Sequence, residues 1–142
     1  MMLIPAYLAP SSIEGLGVFS RTDIVKGQCV YAFDERFDRL IPAADIDSAE
    51  GPAKLFFERY TYALPDYPGY FVLDADEARF MNHADRPNCD FANHHAAIAL
   101  EDIPAGTELT CDYRAIGQVE VYFQGPRHGV GAIVEERYLN AK

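Results

Sequence analysis

Two short segments concentrate the side chains best able to do chemistry. Arg79-Phe80-Met81-Asn82-His83 runs into Ala84-Asp85-Arg86-Pro87-Asn88-Cys89, and Glu108-Leu109-Thr110-Cys111-Asp112-Tyr113 follows further along. An amide, an imidazole and a thiol so close together could be satisfied polar groups, metal ligands or the wall of a small-molecule site. A metal reading would use His83, Cys89, His94 and His95. Their spacing matches no tetrahedral zinc pattern well, and adjacent histidines in a strand point to opposite faces. Upstream, Gly15-Leu16-Gly17 offers backbone without two Cβ atoms, so that chain can pass close to a ligand. A G-x-G alone is more often an ordinary turn.

These residues need a scaffold, and alternation with turn residues predicts a β-rich one. Strands are expected at residues 17–20, 28–34, 69–75, 92–103 and 108–113, with Lys26-Gly27 and Pro104-Ala105-Gly106 as turns. The single helix expected, over residues 47–62, has Ser48 as its cap and Leu55, Phe56, Arg59 and Tyr60 in partial amphipathic spacing. Gly51-Pro52 suits its first turn. No internal repeat or linker is visible.

The 142 residues suffice for one domain with one core. A formal net charge of −10 without any basic stripe excludes a sequence-independent grip on nucleic-acid phosphates and favours a basic partner. No apolar run reaches the roughly 18 to 20 residues that span a bilayer, and the first ten residues do not read as a signal peptide. Three cysteines without close pairing fit a reducing, intracellular compartment: cytoplasmic in a bacterium, nuclear or cytoplasmic in a eukaryote. The segment Glu120-Val121-Tyr122-Phe123-Gln124-Gly125-Pro126 is similar to engineered linker sites, but sequence continues well beyond it and it is read as native.

Taken in order, "SSIEGLGVFS", "DIVKGQCVYAF", "YFVLDADEARFMNHADRPNCDF" and "IALEDIPAGTELTCDY" resemble the SET domain family of protein lysine methyltransferases. The resemblance implies a mainly β fold, a β-clip of several small sheets with knot-like C-terminal threading and one or two short helices. It makes residues 1–142 one domain, with core motifs at 11–114, a variable insert at about 36–65 and a flanking segment at 115–142. It implies S-adenosylmethionine as cofactor, S-adenosylhomocysteine as product and a lysine of a basic protein, such as a histone, as substrate. Glu14, Gly15, Leu16 and Gly17 would pack on the methionine part of the cofactor. Backbone groups of Asn82 and His83 would bind adenine, with the Asn82 side chain facing the cofactor, and Arg79 and Phe80 would line the same pocket. Tyr113 would place its hydroxyl beside the transferring methyl. Tyr70 and Cys111 would wall the lysine channel, with looser matches at Tyr31, Tyr122 and Phe123 completing the channel or its lid.

The sequence also departs from the family pattern. Cys111 stands where many members carry Tyr or Phe, so a roomier channel is expected, compatible with di- or trimethylation. Asp85 stands where many relatives place a zinc-ligating cysteine, and no cysteine follows Cys111, so no metal is expected. Closure of the site then falls to residues 115–142 or to a second subunit in a homodimer. The alternative function is an inactive SET-like module that binds a basic peptide or the cofactor.

Overall fold

The computed structural model describes residues 1–93 and 95–116. His94, Tyr122, Phe123 and the linker-like segment 120–126 lie outside the described residues, as does the proposed closure by the C-terminal segment beyond Ile116.

Among the described residues, ten short strands form three sheets. The first hairpin joins β1 (Ala6–Pro10) to β2 (Leu16–Ser20), in antiparallel register from Ala6↔Ser20 to Pro10↔Leu16. Its connection closes with Ser11 N–H donating to the Gly15 carbonyl at 3.0 Å, and Gly15 takes φ +49, a conformation that glycine reaches without Cβ strain. β10 (Glu108–Cys111) lies on the other side of β2, pairing Leu109 with Val18, and β7 (Asn82–His83) runs parallel to β10 at the edge, giving the order β1-β2-β10-β7. The second sheet is ordered β3 (Cys29–Ala32), β9 (Ala96–Ala99), β8 (Cys89–Asp90), and the third β4 (Arg39–Pro42), β6 (Tyr70–Leu73), β5 (Thr61–Ala63).

The strands from all three sheets meet in one core. Val18, Val30, Val72 and Leu109 each have no exposed surface, and each contributes about 1.5–3 kcal/mol of burial. Cys89 and Cys111 are buried free thiols, while Cys29 is half-buried. Burial pushes the Cys89 thiol up to about 12, and raises that of Cys111.

The helical region corrects the sequence reading. Instead of one helix capped by Ser48, this stretch forms two, α1 (Ala43–Ser48) and α2 (Gly51–Tyr60). Ser48 closes α1, its hydroxyl donating to the Asp45 carbonyl at 3.1 Å, and α2 starts after Glu50 with no side-chain cap. Ala49 and Glu50, both extended, separate the two, Gly51 opens α2 at φ +55, and Pro52 occupies the first turn as expected. No helix among the described residues is long and apolar enough to cross a membrane.

Candidate active site

The parallel pairing of β7 with β10 brings the two chemistry-bearing segments together, Asn82 opposite Thr110 and His83 opposite Cys111. The Asn82 side-chain amide then reaches across β10 to the glycine loop. It donates to the carbonyls of Glu14 and Leu16, both at 3.1 Å, and to Glu108 Oε1 at 2.8 Å. Glu108 also accepts from Ser11 Oγ at 2.9 Å, at the other end of the loop. Gly17 packs against this carboxylate so closely that a Cβ there would lie 2.6 Å from Glu108 Cδ. Asn82 and Glu108 therefore fix the shape of the loop at residues 14–17.

His83 and Tyr113 form the next contact. The Tyr113 N–H donates to His83 Nδ1 at 3.2 Å, which makes that nitrogen the acceptor, and the rings lie 5.4 Å apart. His83 Nε2 lies 3.5 Å from Asp85 Oδ1, and Arg114 bridges Asp85 at 3.5 Å and Asp112 at 2.8 Å. The position that departs from the zinc pattern thus carries a charge cluster linking the two segments. No group of three or more candidate metal ligands occurs among the described residues.

The Tyr113 hydroxyl donates to the Met81 carbonyl at 2.8 Å. Burial, with the Cys111 thiol and Glu14 carboxylate nearby, pushes this phenol well above its ordinary value, while the Arg59 guanidinium pulls it down. The phenol accordingly stays protonated at neutral pH and serves as a donor. Phe80 packs against the core and meets Tyr60 of α2 at a ring distance of 5.3 Å. The Nε of Arg79 is buried with no hydrogen-bond partner among the described residues. A buried donor without an acceptor costs about 1–3 kcal/mol, so this wall suits a ligand that brings acceptors.

Comparison with known proteins gives the family: the SET domain model matches residues 15–114. The chain belongs to the SET domain family. It is 33% identical over 119 residues to the mouse and human proteins called "Histone-lysine N-methyltransferase, H3 lysine-36 specific". The match takes in 70% of this chain and only 4% of those much longer relatives. Among solved structures, the Neurospora SET domain protein DIM-5, a histone lysine methyltransferase, superposes with a TM-score of 0.55 at 25% identity, over 79% of this chain and 53% of that one. A Chaetomium thermophilum Polycomb Repressive Complex 2 chain shares the fold at 21% identity and a TM-score of 0.56, over 95% of this chain and 21% of its own.

Within this SET domain, the residues singled out from sequence do not all come together. Glu14, Gly15, Leu16, Gly17, Asn82, His83 and Tyr113 form one connected group through the contacts above, and Phe80 borders it through α2. Tyr70 begins β6 and is 44% exposed, so it is not a core residue. Tyr31 is wholly buried, its hydroxyl 2.7 Å from Asp74 Oδ1 and 2.9 Å from the Tyr62 hydroxyl. Sequence reasoning assigned no site role to Arg59 or Glu108. Arg59 Nη2 meets Glu14 Oε1 at 2.9 Å, and nothing in its local sequence marks that long-range contact. Glu108 opens the "ELTCDY" motif, which was the one signal that could have singled it out.

Proposed function

We propose that this SET domain transfers methyl groups from S-adenosylmethionine to the lysine side chains of a basic protein, with a histone as the first candidate. The observation that carries the reading is the clamp of Asn82 on the glycine loop, with His83 and Tyr113 in contact beside it. The resemblance would have the Asn82 side chain face the cofactor; here it holds the glycine loop, which leaves the backbone of Asn82 and His83 as the groups to meet the cofactor beside Tyr113. The residues fit such a group: Arg79 presents a buried, unsatisfied donor, and β7 forms the sheet edge whose backbone would meet adenine.

When bound, S-adenosylmethionine supplies a methyl group on a positively charged sulfur, and its transfer to a neutral amine leaves S-adenosylhomocysteine. The domain has to orient the amine and favour its neutral form, since a free lysine titrates near 10.4. Desolvation in a narrow channel does this, as does a nearby positive charge. Tyr113, protonated and half-buried with its hydrogen held by the Met81 carbonyl, is a positioning residue in this scheme rather than a base. Cys111 leaves the channel wall smaller than an aromatic ring would, so the expected product is di- or trimethyllysine. Intact mass of the methylated substrate reads this directly, and strict monomethylation would contradict it.

The deciding experiment incubates the protein with labelled S-adenosylmethionine and a panel of basic proteins. Transfer to lysine supports the reading. Saturable cofactor binding without transfer to any of them would favour an inactive module. Tyr113→Phe is expected to lower turnover by roughly 10²-fold or more while changing cofactor affinity little. Unchanged activity in that variant would remove Tyr113 from the site.

A further inference from the structure

Three aromatic side chains from distant parts of the chain meet beside the second and third sheets, whereas the candidate active site is built on the first. Phe33 follows β3, Tyr67 stands in the connection between β5 and β6, and His95 just precedes β9. Their ring centroids lie 5.6, 5.7 and 5.9 Å apart, a nearly equilateral triangle, and the planes are inclined to one another by 57° to 68°. Backbone bonds hold the corners. The Phe33 N–H donates to the His95 carbonyl at 2.8 Å, and the Tyr70 N–H donates to the Tyr67 carbonyl at 3.0 Å across a turn in which Gly69 takes φ +83. Two carboxylates stand at the polar tips of two of the rings. Glu35 accepts from the Tyr67 hydroxyl and Asp66 meets His95 Nε2, both at 2.8 Å. Phe33 and Tyr67 are half-buried against the core, while the His95 and Asp66 side chains are 38% and 62% exposed, so the cluster is anchored on the core and open to solvent.

Among the described residues no Arg or Lys pairs with either carboxylate, and each keeps a second oxygen without a hydrogen-bond partner. Arg36, next in the chain to Glu35, is held by Asp34 at 2.6 Å instead. A cleft of about 340 Å³ opens beside Phe33 and Glu35, with Arg39 on its wall, and leaves room for an incoming side chain. A cation seated over the middle of the ring triangle lies within about 6 Å of all three centroids, the range of cation–π attraction. A planar guanidinium suits the place better than an ammonium, because it stacks on ring faces and can spread its donors over two carboxylates. The net charge of −10 draws such a cation in from a distance. We propose that Phe33, Tyr67 and His95, with Glu35 and Asp66, form a docking site for an arginine side chain of a basic partner protein. The site is separate from the methyl-transfer centre and stands independently of the reading under Proposed function.

Amide-resolved NMR titration of the wild-type protein with Nα-acetyl-arginine amide tests this, beside the same titration with the citrulline analogue, which keeps the shape without the charge, and with the lysine analogue. The arginine probe is expected to give saturable shifts centred on residues 33–35, 66–67 and 95, and to bind about tenfold or more tightly than the citrulline probe. The double variant Glu35→Gln/Asp66→Asn should weaken the arginine probe by about tenfold while the rest of the spectrum stays that of the folded domain. If that variant does not fold, the arginine and citrulline titrations of the wild type decide alone. Absence of saturable shifts, shifts centred elsewhere, equal affinity for arginine and citrulline, or full affinity in the folded double variant would overturn the proposal. A lysine probe that binds as tightly as the arginine one would overturn the assignment to arginine.

Discussion

A single methyl group is enough to test the glycine loop. Gly17→Ala would drive its Cβ into the Glu108 carboxylate, which can turn aside only by giving up Ser11 and Asn82. Losing those bonds to a charged acceptor is expected to cost about 1–3 kcal/mol, read as a lowered melting temperature, and to weaken cofactor binding. A variant that melts with the wild type would show that Glu108 does not hold the loop. The same residues explain what could be read early. Asn82, His83 and Tyr113 sit in motifs whose side chains themselves announce polar chemistry. Glu108 and Arg59 act through partners 26 and 45 residues away, and no local pattern encodes that separation.

Among the elements, β2, β3, β6, β9 and β10 were legible because apolar strand residues lie between marked turns, as at Gly27 and Gly106, both with φ above +80. β1, β4 and β5 were not. The last two are four and three residues long, and they pair with either side of β6, so tertiary contact rather than propensity makes them strands. The split of the expected helix has a similar cause, since neither α1 nor α2 has a side-chain cap to announce its start. The join between β8 and β10 rests on Asn88. Its side chain donates to the Glu108 carbonyl and accepts from the Thr110 N–H, both at 2.8 Å. Asn88→Ala should destabilise the domain by about 2–4 kcal/mol in urea denaturation, because two partly buried backbone groups lose their partners. A loss under about half a kcal/mol would mean that solvent replaces them and the join is made elsewhere.

For the whole molecule, the second and third sheets are linked by three oxygens. Tyr31 of β3, Tyr62 of β5 and Asp74 just after β6 lie within 2.7 to 3.1 Å of one another. Burial pushes the Asp74 carboxyl up to about 6, against the pull of the Tyr31 hydrogen bond. A carboxyl raised in the folded state favours folding while protonated. Its contribution is complete below the ordinary 3.8 and is lost as pH rises through 6, a change of about 3 kcal/mol. Asp74→Asn keeps an acceptor for both phenols without a charge, so it should be the more stable protein at pH 7 and lose its advantage by pH 4. Urea midpoints of the two proteins across that range provide the check, and a constant gap would rule out a titrating Asp74. The strand order β1-β2-β10-β7 has a consequence for the timing of folding. The middle of that sheet is made last: β2 and β7 can each find β10 only after residue 111 has left the ribosome, and the pairing spans some 90 residues of chain. The nascent glycine loop therefore waits, without Asn82 and Glu108 to hold it, until almost the whole described domain has been synthesised, and any truncation before β10 should leave a chain that chaperones retain rather than a smaller folded unit.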